Sequence, residues 1–158
     1  MTTDNLRKLL AERTDCMLYY AEPAVSDELH AGWIGGNAPA FFDEPSDLIH
    51  DSDLTYLFYL TLVHPFQAER MISIFIPEDY EAYLKNNIYP NCSIKVVEHP
   101  ISTESAKATY TSTGLNKHHI TAGESSTDDQ SMDQPFLIKA GGTPRLIQKE
   151  AYYFTKLQ

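Results

Sequence analysis

"LTYLFYLTLV", residues 54–63, carries apolar side chains at almost every position. In an extended chain side chains alternate, so Leu54, Tyr56, Phe58, Leu60 and Leu62 face one way. Thr55, Leu57, Tyr59, Thr61 and Val63 face the other. A strand that is apolar on both faces belongs at the centre of a sheet, covered on both sides. "MISIFI", residues 71–76, reads as a second buried strand. The link "HPFQAER" is short enough to set the two side by side and antiparallel, though not as a tight hairpin. "CSIKVVE" (92–98), closed by His99-Pro100, reads as a third strand, and "CMLYYAE" (16–22) as another. "FLIKAGG", "PRLIQ" and "AYYFTKLQ" give three short strand-like pieces near the C-terminal end. The 10 Tyr and 7 Phe agree with a sheet, where flat side chains pack on a pleated surface.

Two stretches have helical signals. Leu6, Leu9 and Leu10 fall at i, i+3 and i+4 behind Thr3 or Asp4 as a cap, which predicts a short N-terminal helix. "PEDYEAYLKNN" (77–87) has Pro and acids at its start and predicts a short helix or turn. The expected class is therefore α+β, mainly antiparallel sheet with a short N-terminal helix. At 158 residues the chain fits a single domain, 1–158. Residues 102–134 are rich in Ser, Thr, Asp and Glu and read as a mobile loop insertion, with "TYTST" as an edge strand.

One phrase is written twice: "IGGNAPAFFDE" (34–44) and "AGGTPRLIQK" (140–149). A doubled glycine in apolar surroundings signals positive φ or close approach of another chain segment. The following proline fixes its own φ and holds its predecessor extended. Gly35, Gly36 and Pro39, and Gly141, Gly142 and Pro144, thus read as two structural corners. The aromatic pattern "YLFYLTL" after the first matches "YYFTKLQ" after the second, which suggests an internal duplication about a pseudo-twofold axis.

With these pieces in this order the chain resembles the YwqG-like bacterial family, a domain without established chemistry. The resemblance rests on the early Gly-Gly-x-Pro corner, the strand "YLFYLTLVHP", then "ISIFI", then "IKVVE", and the late corner "GGTPRLIQ" with Gln148 in the matching position. It covers most of residues 31–157. Asn37-Ala38 before the first proline and Tyr59 where a glutamine is common depart from the family pattern. The family continues past the second corner, whereas this chain stops at Gln158, as a shortened member or a truncated chain would. The resemblance implies a mixed fold dominated by antiparallel sheet.

Charge narrows the partners. Twelve Lys and Arg against 22 Asp and Glu give a net charge of −10. Such a surface repels nucleic acid and anionic membranes; a basic protein, a cation or a neutral ligand suits it better. Asp43, Glu44, Asp47, Asp51 and Asp53 fall just after the first corner, and Glu124, Asp128, Asp129 and Asp133 before the second. The first cluster is the expected partner-binding surface.

No catalytic residue and no metal ligand set is read from the chain. There is no Gly-x-Ser-x-Gly elbow and no phosphate loop. His30, His50, His64, His99, His118 and His119 show no ligand spacing; His118 and His119, adjacent on a strand, would point to opposite faces. No cofactor is expected. Cys16 and Cys92 make no disulfide framework, the N-terminus lacks the apolar core of a signal peptide, and a cytoplasmic location is expected. The expected function is a non-catalytic binding protein, in its sharpest form an immunity-type inhibitor of a basic bacterial toxin. The alternative is an enzyme or small-ligand binder with a cleft between the two half-repeats, lined by Trp33, Tyr56, Tyr59, Tyr110, Tyr152 and Tyr153.

Overall fold

The structure, a computed structural model, describes residues 4, 15–24, 30–44, 47–81, 94–127 and 135–142. Its strands are β1 (Asp15–Pro23), β2 (Gly32–Ile34), β3 (Tyr56–His64), β4 (Gln67–Pro77), β5 (Lys95–Pro100), β6 (His118–Ala122), β7 (Ser126–Thr127) and β8 (Ile138–Gly141). β1 pairs antiparallel with β7 and β8, β2 with β3 and β6, and β4 with β3 and β5. The chain divides into two compact units, Met1–Tyr19 with Gly123–Gln158, and Tyr20–Ala122.

The larger unit holds a sheet in the order β5-β4-β3-β2-β6. The β3 strand, read from the sequence as central, lies between β2 and β4, and its consecutive residues Leu60, Thr61 and Leu62 are all buried. Three consecutive buried residues of a strand need cover on both faces. The β3–β4 link is tighter than expected. Only Pro65 and Phe66 separate the strands, and His64 Nδ1 accepts the Phe66 N–H at 3.0 Å across the turn. A side chain that satisfies the turn's own amide permits a connection this short.

One residue resets the face assignment. Phe58 is opposite Phe75, yet Leu60 is opposite Ile74, so Tyr59 is the extra residue of a β-bulge. Beyond it the phase of β3 slips by one. Thr61, opposite Ser73, shares a face with Phe58, while Leu60 and Leu62 turn to the other. The expected single apolar face of Tyr56, Phe58, Leu60 and Leu62 is thereby corrected. On the Phe58 face Ala38, Phe42, Ile49, Tyr56, Phe58 and Phe75 form the core, with Trp33, Leu54, Val97 and Tyr110 packed against it.

In the smaller unit β1 pairs with β7 through Asp15 and Cys16, and with β8 from Cys16↔Gly141 to Tyr19↔Ile138. Cys16, Leu18 and Tyr19 are buried there, and burial pushes the Tyr19 phenol pKa up.

The α+β class is corrected to a mainly β chain. Among the described residues helix is confined to a 3-10 turn at Ala40–Asp43, to Asp4 and to Tyr80 with Glu81. The expected N-terminal helix otherwise lies outside the described residues. Aromatic and β-branched side chains dominate the core, and their packing on pleated strands sets the class. The expected duplication is corrected as well. Gly35, Gly36, Gly141 and Gly142 all take positive φ, but β2, before the first pair, has two strand neighbours, whereas β8, at the second, pairs among the described residues with β1 alone. Pro144 and the stretch matched to "YLFYLTL" lie outside the described residues.

The stretch read as a loop insertion contributes β6 and β7. "TYTST" forms no strand; Tyr110 packs on the core instead.

Candidate functional site

The first corner is built by its glycines. Gly35 sits at φ 68°, and a Cβ there would stand 2.7 Å from the Asn116 carbonyl oxygen and 2.8 Å from that of Leu115. Asn37, which follows the glycine pair, binds four ways. Its N–H donates to Glu104 Oε1 at 2.9 Å and its Nδ2 to the Ser105 carbonyl at 3.0 Å. Its Oδ1 accepts from Thr111 Oγ1 at 2.7 Å, and its carbonyl from Trp33 Nε1 at 2.9 Å. Glu104 also pairs with Lys117. Asn37 thus ties the corner to residues 104–111. Pro39 bridges to Glu104, and Ala40 N–H donates to the Thr103 carbonyl. The corner is fully employed inside the fold.

The expected acidic surface separates into two kinds of carboxylate. Asp43 is half-buried and accepts from Ser105 Oγ at 2.6 Å, which makes it part of the corner network. Asp51 is half-buried and accepts the Asp53 N–H at 3.0 Å through Oδ1, a local turn motif. Glu44, Asp47 and Asp53 are exposed. Of the second cluster Glu124 is exposed, and Asp128, Asp129 and Asp133 lie outside the described residues.

Beside Asp51 a cleft of about 360 Å³ opens within the larger unit. One side comes from the 49–57 segment, with Ile49, His50, Asp51 and Tyr56; the other from Ala108, Tyr110 and Thr111. Lys95 Nζ lies 5.1 Å above the Tyr56 ring and donates to the His50 carbonyl at 3.4 Å, so an ammonium rests at the edge of this cleft. Tyr56 and Tyr110, expected to line a cleft, do so; Trp33 and Tyr59 do not line it, and Tyr152 and Tyr153 lie outside the described residues.

A third arrangement was not legible from sequence motifs. Ser73 on β4 and His99 on β5 are wholly buried, with Oγ 2.7 Å from Nε2. His99 Nδ1 lies 2.7 Å from the Pro100 carbonyl, which can only accept, so Nδ1 carries the hydrogen and the neutral ring offers Nε2 as acceptor. Ser73 Oγ also lies 2.9 Å from Thr61 Oγ1, which lies 3.1 Å from the Ile72 carbonyl; with the Ser73 hydrogen on Nε2, the one Thr61 hydrogen serves Ser73 or Ile72, not both. Phe41 stacks on the His99 ring at 5.0 Å and Phe42 meets it edge-on. Burial, with Arg70 nearby, lowers the His99 pKa against the opposing pull of the Pro100 bond. The order of atoms is that of a base and nucleophile pair, but Thr61, Ser73 and His99 have no exposed surface. This network fastens β3, β4 and β5 together. Its only sequence signal is a polar residue at an inward position of each strand.

Of the remaining histidines, His119 and His30 stack with ring centroids 3.6 Å apart, while His118 Nδ1 lies 3.1 Å from the Asn116 carbonyl. No group of three or more metal-ligating side chains occurs among the described residues. No helix among them is long and apolar enough to cross a membrane. No protein-family model, curated protein or solved structure matches the chain.

Proposed function

We propose that this chain is a non-catalytic cytoplasmic binding protein whose 43–53 loop captures a basic protein, in its sharpest form a cationic bacterial toxin that it neutralises. The observation that carries this reading is the exposure of Glu44, Asp47 and Asp53 on one loop of a chain with net charge −10. Exposed like charges on a rigid scaffold steer an oppositely charged partner and accelerate its encounter. The likeness to the YwqG-like family supports an antiparallel scaffold and adds no chemistry. Co-production with any basic toxin found encoded beside it is the test. Restored growth, lost again when Glu44, Asp47 and Asp53 are neutralised, is expected; arrest equal to that caused by toxin alone overturns the reading.

The second reading, a small-ligand binder, draws on the 360 Å³ cleft. Its lining comes from residues 49–57 and 108–111, all within the larger unit, and not from two matched halves.

A further inference from the structure

Asp51 stands where the acidic loop meets the cleft. Its Oδ1 is engaged by the Asp53 N–H, and its Oδ2 has no hydrogen bond or ion pair among the described residues. Asp51 as a residue is half-buried, and a carboxylate oxygen without a protein partner is free to accept a charge-assisted bond from a cation. Across the cleft, Tyr110 is held at φ 59°, in the left-handed region that few tyrosines enter. Its carbonyl accepts the Phe58 N–H at 2.6 Å and its ring meets Phe75 edge-on at 5.3 Å. A backbone hydrogen bond to β3 and ring packing therefore fix the aromatic wall before any ligand arrives. The other tyrosine of the cleft, Tyr56, already holds the Lys95 ammonium over its ring. The loop carries four further carboxylates, Asp43, Glu44, Asp47 and Asp53, against this one lysine.

We propose that this cleft is the anchor pocket for one cationic side chain of the basic partner, with Asp51 as its counter-ion and Tyr110 as the ring beside it. The inference rests on the reading of the chain as a binder of basic proteins. An aromatic face with a carboxylate at its rim recognises guanidinium or ammonium by charge and ring quadrupole together. Cleft and loop then divide the work. The exposed acids draw the partner in, and Asp51 retains it.

The test uses the full chain and defined probes: N-acetyl-arginine methylamide, its lysine counterpart, the uncharged citrulline counterpart, and an oligo-arginine peptide. Binding is followed by the NMR shifts of Asp51 and Tyr110. The arginine or lysine amide is expected to move both signals saturably, the citrulline amide to leave them in place. Asp51→Asn keeps the acceptor for the Asp53 N–H and is expected to weaken the arginine amide at least fivefold. Tyr110→Asn, which suits a left-handed backbone, is expected to weaken it likewise. Equal binding of citrulline, or unchanged arginine affinity in both variants, overturns the anchor pocket. The peptide separates the two ideas. If it loses affinity when Glu44, Asp47 and Asp53 are neutralised but not in Asp51→Asn, the acidic loop stands and the pocket falls. If the arginine amide needs Asp51 while the peptide gains nothing from the loop, the pocket stands and the protein-capture reading falls.

Discussion

Ser73 Oγ and His99 Nε2 lie 2.7 Å apart on neighbouring strands, with neither residue exposed to solvent. The imidazole is kept neutral there by burial, its pKa below the usual histidine range. In the unfolded chain the same ring titrates near its ordinary value, about 6.5. A depressed folded pKa means that the unfolded state binds the proton more readily. Stability is then fully present above about pH 6.5 and is lost as pH falls through that value towards the folded pKa. Chemical denaturation between pH 7.5 and 5 is expected to show this loss, with His99 contributing up to about 1.4 kcal/mol per pH unit. His99→Gln is expected to flatten the slope; an identical slope would rule out His99 as its source.

Removing the hydroxyl of Ser73 tests the same network without changing charge. Ser73→Ala leaves the buried Nε2 of His99 without its partner at 2.7 Å. An unsatisfied buried polar atom costs about 1–3 kcal/mol. Thr61→Val removes the next hydroxyl along, and because the two hydroxyls lie 2.9 Å apart the double variant is expected to cost less than the two single losses added. Strict additivity, measured by equilibrium unfolding, would show that the chain of hydroxyls does not act as a unit.

Why this network escaped the sequence reading is a matter of register. The alternation of 54–63 pointed to a central strand, and β3 is one. It could not show that Tyr59 bulges and puts Thr61 on the face of Phe58 and Ser73. Without that shift Thr61 and Ser73 look like unrelated polar residues. His99 lies 26 positions from Ser73 and meets it only because β4 and β5 pair as they do. The β2 strand, only three residues long, was too short for any period to register. The acidic loop, by contrast, was legible because exposed charge needs no partner, whereas the unpaired Asp51 oxygen needed the cleft to be seen.

The first corner gives a backbone prediction. Gly35→Ala places a methyl group within 2.7 Å of a carbonyl oxygen at a φ of 68°. Strain of this kind costs about 1–3 kcal/mol. Asn37→Ala, which removes the side-chain bonds to Ser105 and Thr111, is expected to cost a similar amount. Melting temperatures equal to the parent in both variants would mean that residues 104–111 are held by something other than this corner.

The acidic loop gives a kinetic one. In Glu44→Gln/Asp47→Asn/Asp53→Asn three exposed carboxylates are neutralised. Folding is expected to respond within about ±0.5 kcal/mol, since exposed charge changes rarely do more. Association with an oligo-arginine peptide is expected to slow markedly at low salt, while dissociation changes little, because rim charges act mainly on encounter. The difference between variant and parent should close as salt rises, since the screening length falls from about 10 Å at 0.1 M to about 3 Å at 1 M. Stopped-flow association rates across that range decide the matter. A stable variant whose low-salt association rate equals the parent's would reduce Glu44, Asp47 and Asp53 to solvated charges with no part in capture.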